Sequence, residues 1–282
     1  MVKNVIECIN LTHCYGKKKI YNDLNFTLQK GRVMGLLGKN GVGKSTTINI
    51  LMGNLKPTSG KCLIYGEESN CLSSKTRAKI GLLYEGHVTY DYLKIKDLYK
   101  IYESQYKHSF KSERFWELFK YLDVNPEQKI STLSCGQRSQ IVLGLIFASD
   151  PELLILDDYS LGLDAGYRHL FIDYLKDFIK DGKKSVLMTT HIVNDLTNLL
   201  DEIIIMRKNK APLKTNFSKF MSEFKGYSLP KDSDISNING VESSVVLGDD
   251  IKIYGFFDKT PLNAKELSLN FEEAFLGFTG RY

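Results

Sequence analysis

The stretch GKNGVGKST, residues 38–46, sets Gly38, Gly41 and Gly43 ahead of Lys44, Ser45 and Thr46. Glycine-rich backbone can turn its N–H groups inward at close range. A helix starting at the last glycine adds partial positive charge, so the segment suits a row of phosphate oxygens. In that arrangement the backbone of Lys39, Asn40, Gly41 and Val42 wraps the phosphates from Gly38 onward. Lys44 spans the β- and γ-phosphates, Ser45 offers a hydroxyl to Mg²⁺, and Gly43 with Thr46 holds the remaining oxygens. The ligand implied is a nucleoside triphosphate with Mg²⁺. A second stretch, LLILDDYSLGLDAG at residues 153–166, ends an apolar run in two adjacent carboxylates, Asp157 and Asp158. A carboxylate at a strand end is a ligand for a hard cation, and one within reach of a water is a candidate base.

Such groups need rigid elements behind them. The run 33–37 is apolar throughout and precedes the glycine loop, while KSTTINILMGN has helical spacing with Ile48, Leu51, Met52 and Leu55 on one side. Apolar strands are expected again near 153–156, 185–189 and 202–207, separated by an amphipathic helix carrying Tyr167, Phe171, Tyr174 and Phe178. Strand and helix in alternation imply a parallel sheet covered by helices. The first 35 residues alternate apolar runs with polar turns and read as a small antiparallel sheet. Between about 88 and 150, Ile95, Leu98, Tyr99, Tyr102 and Tyr106, then Phe115, Leu118, Phe119 and Leu122, follow helical spacing. An inserted helical segment with that stripe as its packing core is expected. After residue 211, VESSVVLGDDIKIYGFF reads as a hairpin and NAKELSLNFEEAFLGFTG as a closing helix.

Two further motifs complete the set: LSCGQRSQ at 133–140, before the acidic strand, and TTH at 189–191, after the next one. In this order and spacing the chain resembles the ATP-binding subunit of an ABC transporter over residues 1–210. The resemblance implies an α/β P-loop NTPase core with a parallel sheet, an N-terminal antiparallel β subdomain and the helical subdomain at about 88–150. Residues 211–282 form a small α+β C-terminal accessory segment. By the same resemblance Tyr15 stacks on adenine, Asp157 holds Mg²⁺, Asp158 activates water and His191 contacts the γ-phosphate. Ser134, Gly136 and Gln137 in the signature meet the nucleotide of a partner subunit, and Asp164 lies at that interface. The family works as two copies, or two homologous subunits, closed head to tail over two ATP molecules. They drive an integral membrane permease from the cytoplasmic face.

Four positions depart from the usual pattern. Cys135 replaces a glycine in the signature. Glu85, in LLYEGH, stands where glutamine is usual; as an ionised group it accepts but does not donate, so metal contact survives while donation to the attacking water does not. Asp158 replaces a glutamate longer by one methylene, about 1.5 Å, which predicts slow turnover. Tyr159 replaces a proline and leaves φ unlocked.

Composition narrows the alternatives. The 43% hydrophobic and 25% charged content is that of an ordinary globular chain. A formal charge of +5 with dispersed lysines offers no nucleic-acid groove, so no nucleic-acid partner is expected. The five cysteines lack C-x-x-C spacing, which points away from zinc and disulfide frameworks. The apolar stretch IVLGLIFA is far short of the roughly 20 residues that span a bilayer, and MVKNVIECIN has no secretory pattern. A peripheral position on the inner membrane face, through the permease, follows. FEEAFLGFTG near the end resembles the tail of exporter ATPases for drugs and sodium, which favours export.

Overall fold

The computed structural model describes residues 4–84, 90–160, 162–190 and 193–280. Two long strands come first, β1 (Asn4–Tyr15) and β2 (Lys18–Gln29), paired antiparallel. In β2 the residues Leu24, Phe26 and Leu28 alternate inward, as a half-buried strand requires. The strand β3 (Val33–Gly38) is buried at every position and leads into helix α1 (Lys44–Leu51). Strands β4 (Ser59–Ile64) and β5 (Glu67–Glu68) return to the first sheet, whose order is β2-β1-β4-β5. A single helical turn, α2 (Ser74–Arg77), precedes β6 (Ile80–Leu83).

The helices α3 (Ile95–Gln105), α4 (Ser112–Phe119) and α5 (Cys135–Ala148) follow. Ile95, Leu98, Phe115, Leu133, Ile141 and Leu145 form their shared core, and Tyr99 packs on Phe115 at 5.0 Å. The aromatic stripe is therefore packing surface. The core then continues through β7 (Leu153–Leu156), α6 (Ala165–Ile179), β8 (Ser185–Thr190) and β9 (Glu202–Met206). The central six-stranded sheet has the order β10-β9-β3-β8-β7-β6, with β10 (Leu213–Asn216) antiparallel to β9 and the other neighbours parallel.

Both faces of this sheet are covered, so its strands are apolar on both sides. Met34, Leu36, Ile155, Leu187 and Ile204 face α1 and the N-terminal sheet. Val33, Leu37, Leu154, Leu156, Val186, Met188, Ile203 and Ile205 face α5, α6 and the C-terminal segment. A continuous apolar run in sequence is the signature of such a two-sided burial.

The chain leaves the central sheet only after Asn216. It then forms α7 (Phe217–Glu223), β11 (Phe224–Pro230), β12 (Val241–Leu247), β13 (Asp250–Phe256), β14 (Lys265–Leu267) and α8 (Phe271–Thr279). Its four strands make an antiparallel sheet, β12-β13-β11-β14. Phe220, Phe224, Tyr254, Phe271, Phe275 and Phe278 join the same apolar cluster as α6 and the central strands. The appendage thus shares a core with the body instead of hanging from a linker. Helix α8 is closed by a capping box, Asn270 with Glu273, which satisfies two of its orphan N-terminal donors.

One polar contact ties the helical segment to the sheet. Asp150, at φ 53°, accepts from Arg114 of α4 at 2.6 Å and from Lys184, just before β8, at 2.7 Å. Burial pushes its carboxyl up, but the hydrogen bonds from Lys184 and Arg114 outweigh burial and hold it below the usual range. Its contribution is therefore present above the ordinary carboxylate pKa and lost as pH falls through the lowered value. Asp150→Asn keeps a residue that tolerates a left-handed backbone and removes the charge. It is expected to cost about 1–2 kcal/mol, read as a lower melting temperature at neutral pH and a gap that closes in acid.

Candidate nucleotide site

The glycine loop joins β3 to α1 at the carboxyl end of the parallel strands, where ligands of such sheets bind. Gly43 caps α1 at φ 111°, and a Cβ there would stand 2.5 Å from Ile20 Cγ2 and 2.8 Å from the Tyr21 ring. Only glycine lets the loop lie so close to β2. Gly43, as the cap of α1, brings no side chain to the helix start, where backbone N–H groups suit an anion. Lys44 Nζ folds back to donate to the carbonyls of Gly38 at 2.7 Å and Lys39 at 3.2 Å.

Neighbouring strands deliver the acidic groups to the same place. Leu36 of β3 lies opposite Thr189 of β8, and Met188 lies opposite Leu156 of β7. Asp157 therefore emerges beside Thr189 and across from the loop. Its carboxylate is only 2% exposed and accepts from the hydroxyls of Thr189 at 2.7 Å and Ser45 at 3.2 Å. A buried carboxylate oxygen and a hydroxyl oxygen converging in this way fit a hard divalent cation. Mg²⁺ held by Ser45 and Asp157 would supply neutralisation of phosphate charge.

Asp158 sits at φ 45°, in the left-handed region that aspartate tolerates better than longer side chains. Its backbone N–H donates to Thr189 Oγ1 at 2.9 Å, and its Oδ1 accepts from Ser160 Oγ at 3.0 Å. Thr189 thus binds both acidic residues, one through a carboxylate and one through the backbone. Sequence reasoning noticed Thr189 only as the flank of His191; a hydroxyl residue at the end of the strand next to the acidic one was the available signal.

Tyr159 explains the unusual backbone. Its ring is fully buried and stacks on Phe171 of α6 at 4.9 Å. Turning it into the core bends the chain at Asp158. A proline at 159 would push residue 158 toward extended backbone instead. Burial raises the Tyr159 hydroxyl pKa, and the hydroxyl has no hydrogen-bond partner among the described residues.

A cleft of about 520 Å³ unites Tyr15, Lys44, Ser45, Thr46, Asp157, Asp158 and Thr189, together with Asn40, Gly41 and Gly43. Tyr15 is half exposed at its mouth, stacked edge-on against His13 at 4.7 Å, and is not a core aromatic. Lys39 and Val42 line a neighbouring cavity instead. Glu85 and His191 lie outside the described residues.

The signature residues do not line this cleft. Ser134 caps α5, accepting from Gln137 N–H at 3.2 Å, while Gln137 Oε1 accepts from Ser134 N–H at 2.9 Å. The S-x-x-Q spacing is thus a capping box, which fixes the helix start. A Cβ on Gly136 would meet the Gly162 carbonyl at 2.5 Å, so glycine is needed for that contact. A Cβ on Gly162 would stand 2.8 Å from the Cys135 sulfur of the same chain. Asp164 caps α6 by accepting from Tyr167 N–H at 2.8 Å.

Comparisons with known proteins agree with this arrangement. The model of the ABC transporter family matches residues 21–160. The chain is 31% identical to a Nod factor export ATP-binding protein of Rhizobium johnstonii, covering 73% of this chain and 67% of that one. It is also 31% identical to an uncharacterised ABC transporter ATP-binding protein of Bacillus subtilis, covering 74% and 69%. Among solved structures, the ATP-binding subunit of an ABC transporter superposes with TM-score 0.69 at 22% identity over 77% of this chain and 92% of that chain. A dimeric ATP-binding cassette in a post-hydrolysis state with ADP and Pi gives 0.64 at 21%, over 75% and 98%. With a glycine loop, acidic strand end and capped signature helix on this sheet, the chain belongs to the ABC transporter family as an ATP-binding subunit.

Proposed function

We propose that the chain binds ATP with Mg²⁺ in the cleft between the glycine loop and Asp157 and hydrolyses it slowly. It does so as half of a head-to-tail dimer that drives a separate membrane permease from the cytoplasmic face. The observation carrying this reading is the convergence of Lys44, Ser45, Asp157, Asp158 and Tyr15 on one cleft. In it Lys44 and the α1 amides bind the β- and γ-phosphates, Ser45 and Asp157 hold the cation, and Asp158 orients and deprotonates the attacking water. His191 and Glu85 take the γ-phosphate and metal-side roles that the family resemblance implies.

Dimerisation is supported by the signature: Ser134, Gly136 and Gln137 form a capped helix start outside their own cleft, which leaves them to close a partner's. Among the described residues no helix is long and apolar enough to cross a membrane. Export is favoured by the tail and by relatives named for Nod factor export and linearmycin resistance. Residues 1–210 act as the ATP-binding domain, with the helical subdomain at about 88–150, and 211–282 as an accessory segment.

Lys44→Ala removes a charge-assisted contact to phosphate and is expected to weaken ATP binding by about 10- to 100-fold, measured by titration. Unchanged affinity would remove ATP from the cleft. Turnover of the purified chain, compared with that of the chain reconstituted with a multi-span protein encoded beside its gene, tests the transport half. Equal rates in both preparations would count against coupling to that permease.

A further inference from the structure

Next to the nucleotide cleft, a second cavity of about 590 Å³ lies between residues 39–42, the end of β9 and the end of α8. Its wall carries six cationic side chains, Lys18, Lys19, Lys39, Arg207, Lys208 and Lys210, against one carboxylate, Glu242. That local excess equals the formal charge of the entire chain, +5. Glu242 is already committed, at 2.6 Å from Arg207 and 3.8 Å from Lys210. Among the described residues, Lys18, Lys19, Lys39 and Lys208 face no carboxylate within ion-pair distance.

Arg207 is held in place before any ligand arrives. Its guanidinium lies over the Phe278 ring at 3.9 Å, its side chain is 14% exposed, and its buried Nε has no hydrogen-bond partner among the described residues. A guanidinium fixed in this way is pre-organised to meet a phosphate group. Ile20 and Val42 add apolar surface to the same wall, with Met206 and Phe278 nearly fully buried behind it. Like charges would not be gathered on both sides of a seam between loop and appendage for stability alone.

We infer that this cavity is a second ligand site, which takes a small molecule bearing a phosphate group on an apolar or aromatic body. The inference goes beyond ATP hydrolysis, because the occupant is distinct from the nucleotide in the catalytic cleft. The two cavities share Lys18, Ile20, Asn40 and Gly41, so an occupant touches the loop that holds ATP. Binding in one then alters affinity in the other, by equal factors in both directions. The C-terminal segment supplies Glu242, Ser243 and Phe278 to the wall, which gives it a sensing role at the loop.

The test titrates phenyl phosphate, and separately inorganic phosphate, into the full chain with the catalytic cleft saturated by Mg²⁺ and a non-hydrolysable ATP analogue. Phenyl phosphate is expected to bind once per chain, about fivefold or more tighter than inorganic phosphate because the ring adds buried apolar area. The Lys208→Gln/Lys210→Gln variant, altered at two exposed positions, is expected to bind phenyl phosphate about tenfold more weakly while melting as the parent does. Absence of saturable phenyl phosphate binding, or equal affinity in the variant, overturns the site. Equal affinity for the two probes overturns the apolar body. If the analogue itself fails to bind, the ATP reading has failed, and the same titration in Lys44→Ala still reads the second cavity.

Discussion

Asp158→Asn is expected to lower ATP turnover by about 10²- to 10⁴-fold, the range for loss of a general base, with ATP affinity changed little. Asparagine keeps the side-chain length and tolerance of the φ 45° backbone while removing the proton acceptor. Asp158→Glu should act in the opposite direction. It extends the carboxylate by about 1.5 Å and is expected to raise turnover about 10- to 100-fold, since an error near 1 Å costs about that much. Glutamate is less comfortable in the left-handed region, so the gain comes with a stability loss of about 1 kcal/mol. Single-turnover hydrolysis and thermal melts on the three proteins decide the matter. Wild-type turnover in Asp158→Asn would show that the base is elsewhere. A glutamate variant no faster than its parent would show that reach is not what limits the rate.

Tyr159→Ala should be among the most damaging substitutions for stability, at about 3–5 kcal/mol. The ring is fully buried, stacks on Phe171 and belongs to the cluster that joins α6 to the central sheet, so its removal leaves a cavity in the main core. Tyr159→Phe keeps the ring and removes a buried hydroxyl that has no partner among the described residues, so it is expected to be neutral or to stabilise by about 1 kcal/mol. Denaturant midpoints at constant slope give both values. If the alanine variant is as stable as its parent, the ring is not what anchors the turn after the acidic pair.

These two residues show where reading the chain alone stopped. The shortened arm of Asp158 and the missing proline were plain in LDDYS, and the expectation of slow turnover followed from length. That Tyr159 turns into the core and carries Asp158 into a left-handed backbone depends on Phe171, twelve positions later on another element. Periodicity reports whether a side chain faces inward, not which distant ring it meets. Similarly, the glycine loop was legible because its shape is built from local backbone, whereas Thr189 acquired meaning only when β8 was laid between β3 and β7. Lys39 and Val42 belong to the same nine-residue motif as Lys44, yet they face a different cavity. A motif specifies the loop's path and leaves the directions of its outer side chains to their neighbours.

The amino-acid sequence by itself determined the alternation of apolar runs, the two-sided burial of the central strands, the glycine loop and the acidic strand end. Each of these rests on residue type and short-range spacing, which local sterics and hydrogen bonding translate directly into backbone shape. The tertiary structure decided the rest. It set the shared core between body and appendage, the hydroxyl that joins Asp157 to Asp158, and the gathering of cations from β2, the glycine loop and the segment after β9 around one cavity. Those are contacts between residues tens to hundreds of positions apart, and chain packing alone brings them within a few ångströms.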